Sequence, residues 1–469
     1  MENEKKLTLE DDLSGFALRA VRERIDPETL HLLKRNILDS YAGICASLKD
    51  TGMTRIFRRM TSMARDDRGI TVWGVGRKAH ATEALFMNTI LGRRSDLVNT
   101  YMSPDRMGGS HPSDNVSLVL SLAEWLGKGG KDVLSHTWLA YRLSCMFANY
   151  YDPESTGYDH DAQALFFTPL VIGSMMSLTA EQMTQAQRIA GMLGLNINQA
   201  AVGDVTDWKH CTFASCAMRG LESVIMGLSG FTGPGEIYEG ESGVNRFITH
   251  GSSILDTPPD LGSIIFKRWP ALVFCQTPID AAVELSHRIG DHDRIAKVEV
   301  QTYKKAITES AIASSYYPMS RAARTHSLPY CVAAALIKGT VEYGFFDDGF
   351  IGDERAVADM IPKIEVTEDK EMTRTFPNGA PCRLIVTLKD GSIVDCFRAC
   401  PHGDPGDPLD DGEIEEKTVA YLSELTHVKH ARSLVSRVWE LEKEPSIAFL
   451  VDPLKKRVNE KPNSRRSQK

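Results

Sequence analysis

Between Asp96 and Asn115 a glycine-broken stretch carries an acid, a hydroxyl, an imidazole and a guanidinium. It reads Asp96-Leu97-Val98-Asn99-Thr100, then Asp105-Arg106, then His111-Pro112-Ser113-Asp114-Asn115. The stretch lies between two apolar segments of helical period and is longer than an ordinary helix–helix connection. Loops of that kind carry function more often than short ones. The chemistry these groups suit is the handling of a small acid. An imidazole moves protons near neutral pH, a carboxylate orients it, and a guanidinium clamps a carboxylate through two parallel hydrogen bonds. More cations for this loop would have to come from elsewhere in the chain. Lysines supply point charges for carboxylates. Removing a proton next to a carboxylate also requires cations for the charge that grows on its oxygens.

Groups so far apart in the chain need a frame to meet. The first two-thirds read as helix after helix. Asp26-Pro27-Glu28 is a start signal, and Leu30, Leu33, Ile37, Tyr41 and Ile44 follow at helical spacing. The same period predicts helices over about 81–92, 115–127, 131–149, 162–177, 180–194 and 212–229, with Thr179 and Gln182 spaced as a capping box. Near residue 268 the pattern changes. Val298, Val300 and Thr302 alternate with polar residues, Ile364-Glu365-Val366 is a second strand candidate, and Asp390-Gly391 sits between two apolar runs as a hairpin turn. His402-Gly403-Asp404-Pro405-Gly406-Asp407-Pro408 has the composition of a linker, and helices over about 412–425 and 429–443 follow it. The expected architecture is mainly α. A large helical domain is built from both chain ends, residues 1–267 and 405–469, with a smaller α+β lid, residues 268–404, carrying an antiparallel sheet. The site is expected in the cleft between them.

Composition narrows the function classes. A chain of 469 residues with 42% hydrophobic and 25% charged residues is an ordinary globular one. The formal net charge of −8 argues against a nucleic-acid binder that relies on phosphate neutralisation. No run approaches the roughly 18 apolar residues that span a bilayer, and the N-terminus lacks the apolar core of a signal peptide. Nine cysteines without paired spacing fit a reducing compartment. The expected location is cytoplasmic, and the basic tail from Lys455 reads as a solvated terminus.

Five short segments together resemble the MmgE/PrpD family. Asp96-Leu97-Val98-Asn99-Thr100 followed by His111-Pro112-Ser113 is one. Gly157-Tyr158-Asp159-His160 is another, and Trp208-Lys209-His210 with Ala214 and Arg219 a third. Lys267-Arg268-Trp269-Pro270 with Gln276-Thr277, and Ser327-Leu328-Pro329-Tyr330, complete the set. The resemblance covers most of the chain. It implies that Asp96, Thr100, His111, His160, Lys209 and Tyr330 line an active site, with Lys267 close by. His210 and Gln276 join as substrate-binding candidates. It further implies a homodimer and a cofactor-independent lyase that acts on a 2-methylcitrate-like tricarboxylate. His111 and His160 would transfer protons, Asp96 would orient an imidazole or hold the substrate hydroxyl, and Tyr330 would cap the pocket from the lid. Three departures stand out. The loop before His111 is longer and brings Arg106, a fresh candidate for a carboxylate clamp. Asn99 replaces a second acid. The junction histidine is missing, with Phe274-Cys275-Gln276 in its place. Other outcomes within the resemblance are decarboxylation of cis-aconitate, isomerisation or epimerisation of a small dicarboxylate, and an inactive scaffold.

Plainer readings stand beside these. Lys209 could simply lie along apolar surface, and Asp96 with Thr100 could be a cap and turn. Asp159-His160-Asp161 could ligate a metal, but adjacent residues rarely converge on one ion and none is expected. Gly74-Val75-Gly76 lacks the third glycine and the βαβ unit of a dinucleotide fingerprint.

Overall fold

The computed structural model describes residues 7–103, 109–201, 205–248, 254, 260–347 and 354–455. Its central element is the helix Pro27–Ser47, buried without a break from Asn36 onward. Asp26 starts it by accepting a hydrogen bond from the Thr29 amide, with Pro27 in the first turn where no amide is needed. Around it pack Ala81–Arg93, Asp114–Trp125 and, from the far end of the chain, Asp411–Leu422. Gly130–Tyr150, Ala164–Met175, Ala180–Ala190 and Thr212–Leu228 form the outer part of the bundle. Thr179 and Gln182 close the expected capping box on Ala180–Ala190. Ala164–Met175 is apolar on nearly every face and correspondingly buried, packed against the helices on either side.

The helical stretch is interrupted by strands that the periodicity did not announce, the longest of them early in the chain. Arg65–Val72 and Arg77–Ala79 form a hairpin whose turn uses Gly74 and Gly76 at φ of 74° and 68°. Positive φ is open to glycine without steric cost, so this pair serves a tight turn. The Gly74 amide donates to the Leu454 carbonyl and ties the C-terminal segment down, while Lys455 pairs with Glu124. The remainder of the basic tail lies outside the described residues.

The second half carries one four-stranded sheet, ordered Ile364–Glu368, Ile295–Thr302, Cys382–Leu388, Ile393–Arg398. Asp390-Gly391 turns between the last two, with Gly391 at φ 85°. The expectation of an antiparallel sheet needs correction, because Ile295–Thr302 pairs parallel with Ile364–Glu368, Val298 facing Ile364. Between these two strands the chain passes through Lys304–Ser310, Leu328–Lys338 and Glu354–Met360. A long helical crossover returns the chain to the end where it began, which makes the pair parallel and the sheet mixed. Gln276–Ile289 and Leu328–Lys338 cover this sheet.

Two apolar clusters make up most of the core. One draws on residues 13–266 and 409–454, the other on residues 269–396. Lys417 joins them by donating to Asp39 and to the Lys267 carbonyl at 2.7 Å. Among the described residues no helix is long and apolar enough to cross a membrane.

Candidate active site

The loop after Ala81–Arg93 is pinned before it reaches the site. Thr100 exchanges two backbone hydrogen bonds with Ile265, and Tyr101–Met102 pairs with Gly109–Ser110. Asn99 turns inward, donating to Asn36 Oδ1 and the Tyr141 hydroxyl and accepting from the Ser113 amide. It is a strut of the frame, outside the cavity lining, so the amide there takes no base away from the cavity. Asp96 holds a left-handed φ of 56°. Non-glycine residues adopt that region rarely, and such strain concentrates at functional positions.

Around Asp96 the positive groups converge. Its Oδ2 lies 3.5 Å from His210 Nε2 and 3.9 Å from His326 Nδ1, and Oδ1 lies 4.0 Å from Lys267 Nζ. Burial would raise the acid, but His326, His210 and Lys267 overcome it and hold Asp96 well below the usual carboxylate range. Lys267 is 1% exposed. Burial pulls its pKa down to about 8, with Asp96 opposing and Arg93 adding to the fall. A lysine so placed is charged at neutral pH and close to losing its proton.

Burial keeps His111, His210 and His326 neutral, and neighbouring groups fix the histidine tautomers. His111 Nδ1 lies 3.2 Å from the Asn99 carbonyl and 3.2 Å from Thr100 Oγ1. A carbonyl only accepts, so Nδ1 carries the proton and Nε2 keeps a lone pair. Burial, then Arg93, Lys267 and His160, holds this imidazole well below its ordinary pKa. His160 meets it edge-on at 5.3 Å between centroids. Arg93 donates to His160 Nε2 at 2.9 Å, so the His160 proton sits on Nδ1, facing Asp159 and Glu154. His210 accepts from Arg94 at Nδ1, which turns its Nε2–H toward Asp96. His326 sets Nδ1 2.9 Å from the Ala322 carbonyl, and burial lowers its pKa to about 4.

Each remaining charge has a partner. Arg93 pairs with Asp114 and, at 3.3 Å, with Asp161. Lys209 faces Asp159 at 3.6 Å; burial raises that acid, Lys209 and His160 lower it, and it settles at about 2. The ligand atoms of Asp159, His160 and Asp161 lie within 4.8 Å of one another. Each is already opposite a lysine or an arginine, a poor setting for a metal ion.

All of these groups line, or directly support, one cavity of about 610 Å³. The structure brings Asp96, Thr100, His111, His160, Lys209, His210 and Lys267 together there. Two expected residues do not join them. Tyr330 is packed in the second core cluster, with its hydroxyl donating to the Phe345 carbonyl at 2.7 Å. Gln276 closes a turn, accepting from the Trp269 amide and donating to the Trp269 and Ala271 carbonyls, each at 3.0 Å. Its amide has nothing left for a ligand. Arg106 and Asp105 lie outside the described residues. Among the lining residues that the sequence reading did not single out are three with charge or an imidazole close to these groups: Arg93, His326 and Lys305. His326 stands directly ahead of Ser327-Leu328-Pro329-Tyr330, and at this end of the segment it is the imidazole that lines the cavity.

Comparison with known proteins places this geometry among relatives. The family model for the MmgE/PrpD N-terminal domain matches residues 11–255, and that for the MmgE/PrpD C-terminal domain matches residues 269–441. Cis-aconitate decarboxylase of Homo sapiens is 23% identical over 442 residues, covering 90% of this chain and 89% of its own. The 2-methylcitrate dehydratase of Escherichia coli (strain K12) is 24% identical over 338 residues, 66% of this chain and 67% of that one. A mitochondrial 2-methylcitrate dehydratase of Yarrowia lipolytica is 24% identical over 314 residues, 61% and 59%. With both domain matches in order along most of its length, this chain belongs to the MmgE/PrpD family.

Proposed function

We propose that this chain is a cofactor-independent lyase that dehydrates a small tricarboxylate in the manner of a 2-methylcitrate dehydratase. The observation that carries the reading is the convergence of Lys267, Lys209 and neutral imidazoles around ionised Asp96 in one cavity. His111, with its lone pair on Nε2, takes the proton next to a substrate carboxylate. The electrons of that C–H bond form the new double bond. The neighbouring C–O bond breaks with its pair on oxygen, and the Lys267 ammonium, charged at neutral pH and close to losing its proton, supplies the proton that lets the hydroxyl leave as water. Lys209 faces the carboxylate whose charge grows during abstraction, and Asp96, beside Lys267, holds the departing hydroxyl in line. His326 reaches the acid from the second core cluster, the side from which Tyr330 was expected. Residues 268–404 act as the lid that excludes water, and the protein works as a cytoplasmic homodimer.

A second reading is decarboxylation of cis-aconitate. It is favoured by coverage, since the relative that spans 90% of this chain bears the decarboxylase name. Both reactions place negative charge beside the same lysine. Incubation with 2-methylcitrate, citrate and cis-aconitate separates them. Absorbance of a new conjugated double bond supports dehydration, and released carbon dioxide supports decarboxylation. Binding without either product would reject the lyase and leave a scaffold of the same fold.

A further inference from the structure

We infer that the substrate carries an apolar arm beyond its carboxylate head, and that this arm lies along Val273, Phe274, Ile312 and Tyr317. The inference rests on the lyase reading above and deepens it by naming the substrate class, an alkyl-substituted tricarboxylate with a chain longer than methyl.

The cavity has two kinds of wall. One is the charged cluster of Asp96, His111, His160, Lys209 and Lys267. The other comes from the turn Val273–Cys275 and from residues 312–318, and it offers hydrocarbon from Leu272, Val273, Phe274, Ile312, Tyr317 and Pro318, with the hydroxyls of Thr308, Ser314 and Ser315 alongside. Phe274 cannot swing aside, because Tyr303 and Phe376 hold its ring edge-on at 6.3 and 6.0 Å. A carboxylate laid on the side chains of Val273, Phe274 and Ile312 would lose hydration and find no cation there to replace it. The charges at the rim give no reason for a second polar group there, since Lys305 already pairs with Glu309 at 3.0 Å and with Glu154 at 3.7 Å.

Space and exposure agree with an arm. At about 30 Å³ per water, 610 Å³ is room for roughly twenty waters. A citrate-sized acid has about thirteen heavy atoms, bonded more closely than waters pack, so it leaves a substantial part of this volume unfilled. Ile312 is 44% and Tyr317 79% exposed, although both line the cavity. Ligand sites are mostly apolar surfaces with a few placed polar groups, and an alkyl chain would cover the hydrocarbon left open here.

The test uses the full-length protein and a series of acids: citrate, then 2-methyl-, 2-ethyl-, 2-propyl- and 2-butylcitrate, with dissociation constants measured by titration calorimetry. The expected result is about a threefold to fourfold tightening per methylene from methyl to butyl, the increment for burying one such group. Ile312→Ser and Phe274→Ala should each reduce that increment. Ile312 is partly exposed, so its variant remains informative if Phe274→Ala fails to fold. Citrate and 2-methylcitrate binding with no gain, or a loss, along the series would overturn the arm and leave the lyase reading standing. No binding by any member would overturn the lyase reading itself, and the arm with it.

Discussion

The two walls of the cavity are built on opposite principles. On the helical side every charge is fixed by another: Arg93 by Asp114 and Asp161, Lys209 by Asp159, Arg94 by Asp50 and Asp207. On the side of residues 272–326 only His326 reaches the central acid, and around it hydrocarbon alternates with hydroxyls and the Lys305–Glu309 pair. Groups that must not move during proton transfer belong on the first, because preorganised charge needs no rearrangement as the reaction proceeds. Fit to the rest of the substrate belongs on the second. The contrast makes a concrete claim: substitutions on the helical wall should fall on kcat, and those on the other wall mainly on KM.

The largest effect is expected at His111. His111→Gln removes the lone pair that takes the proton and should lower kcat by about 10² to 10⁴, the range for a general base. His326→Gln should cost about tenfold in kcat/KM, mostly through KM, since that imidazole steadies Asp96 and does not face His111. Steady-state kinetics of the two variants on the same tricarboxylate decide the matter. Equal losses in kcat would erase the distinction between the walls.

Lys267 comes next. Lys267→Met should lower kcat/KM by about 10- to 100-fold, in kcat as well as in KM, the worth of one hydrogen-bonded charge contact. The same lysine sets a pH limit. Its pKa is lowered to about 8, so it is charged below that value and neutral above it. A carboxylate ligand prefers the charged form, so affinity should hold steady below about pH 8. Above it, affinity should fall by up to about tenfold per pH unit. Binding measured from pH 6.5 to 9.5 reports the bend, and in Lys267→Met the bend should vanish. A bend that persists in that variant would assign the titration to another group.

These effects also show why some of the site was legible in the sequence and some was not. Asp26 and Thr179 announce helix starts because a cap is a local event, completed within three residues. Asp96, Thr100 and His111 could be grouped because one pinned loop holds all three. Arg93 could not be told apart from the basic residue that commonly ends a helix, where a cation complements the exposed carbonyls. The hairpin at Arg65–Val72 hid behind four polar residues, three of them exposed, that carry no apolar alternation. The direction of Ile364–Glu368 is a property of the crossover before it, and five residues carry no sign of that. His326 and Tyr330 are four residues apart, a spacing that would put them on one face of a continuous helix. Ser327 breaks the helix between them with φ −103° and ψ 109°, capping the Tyr330 amide with its own side chain. The imidazole therefore faces the cavity and the phenol faces the core.

That break leads to the two smallest expected effects, both on stability alone. Gln276→Leu leaves the Trp269 amide and the Trp269 and Ala271 carbonyls without their side-chain partner in a buried turn. Unpaired buried groups cost about 1–3 kcal/mol each, and some are recovered by relaxation, so a loss of about 2–4 kcal/mol is expected in denaturant unfolding. Tyr330→Phe removes one hydroxyl and leaves the ring against Phe346. The Phe345 carbonyl loses a donor, which should cost about 1 kcal/mol. Neither kcat nor KM on the tricarboxylate should change, because the hydroxyl donates into the core and makes no contact with the cavity lining. A drop in kcat for Tyr330→Phe, with stability intact, would mean that the phenol rotates out of the core when substrate binds. It would then belong to the wall that His326 now holds alone.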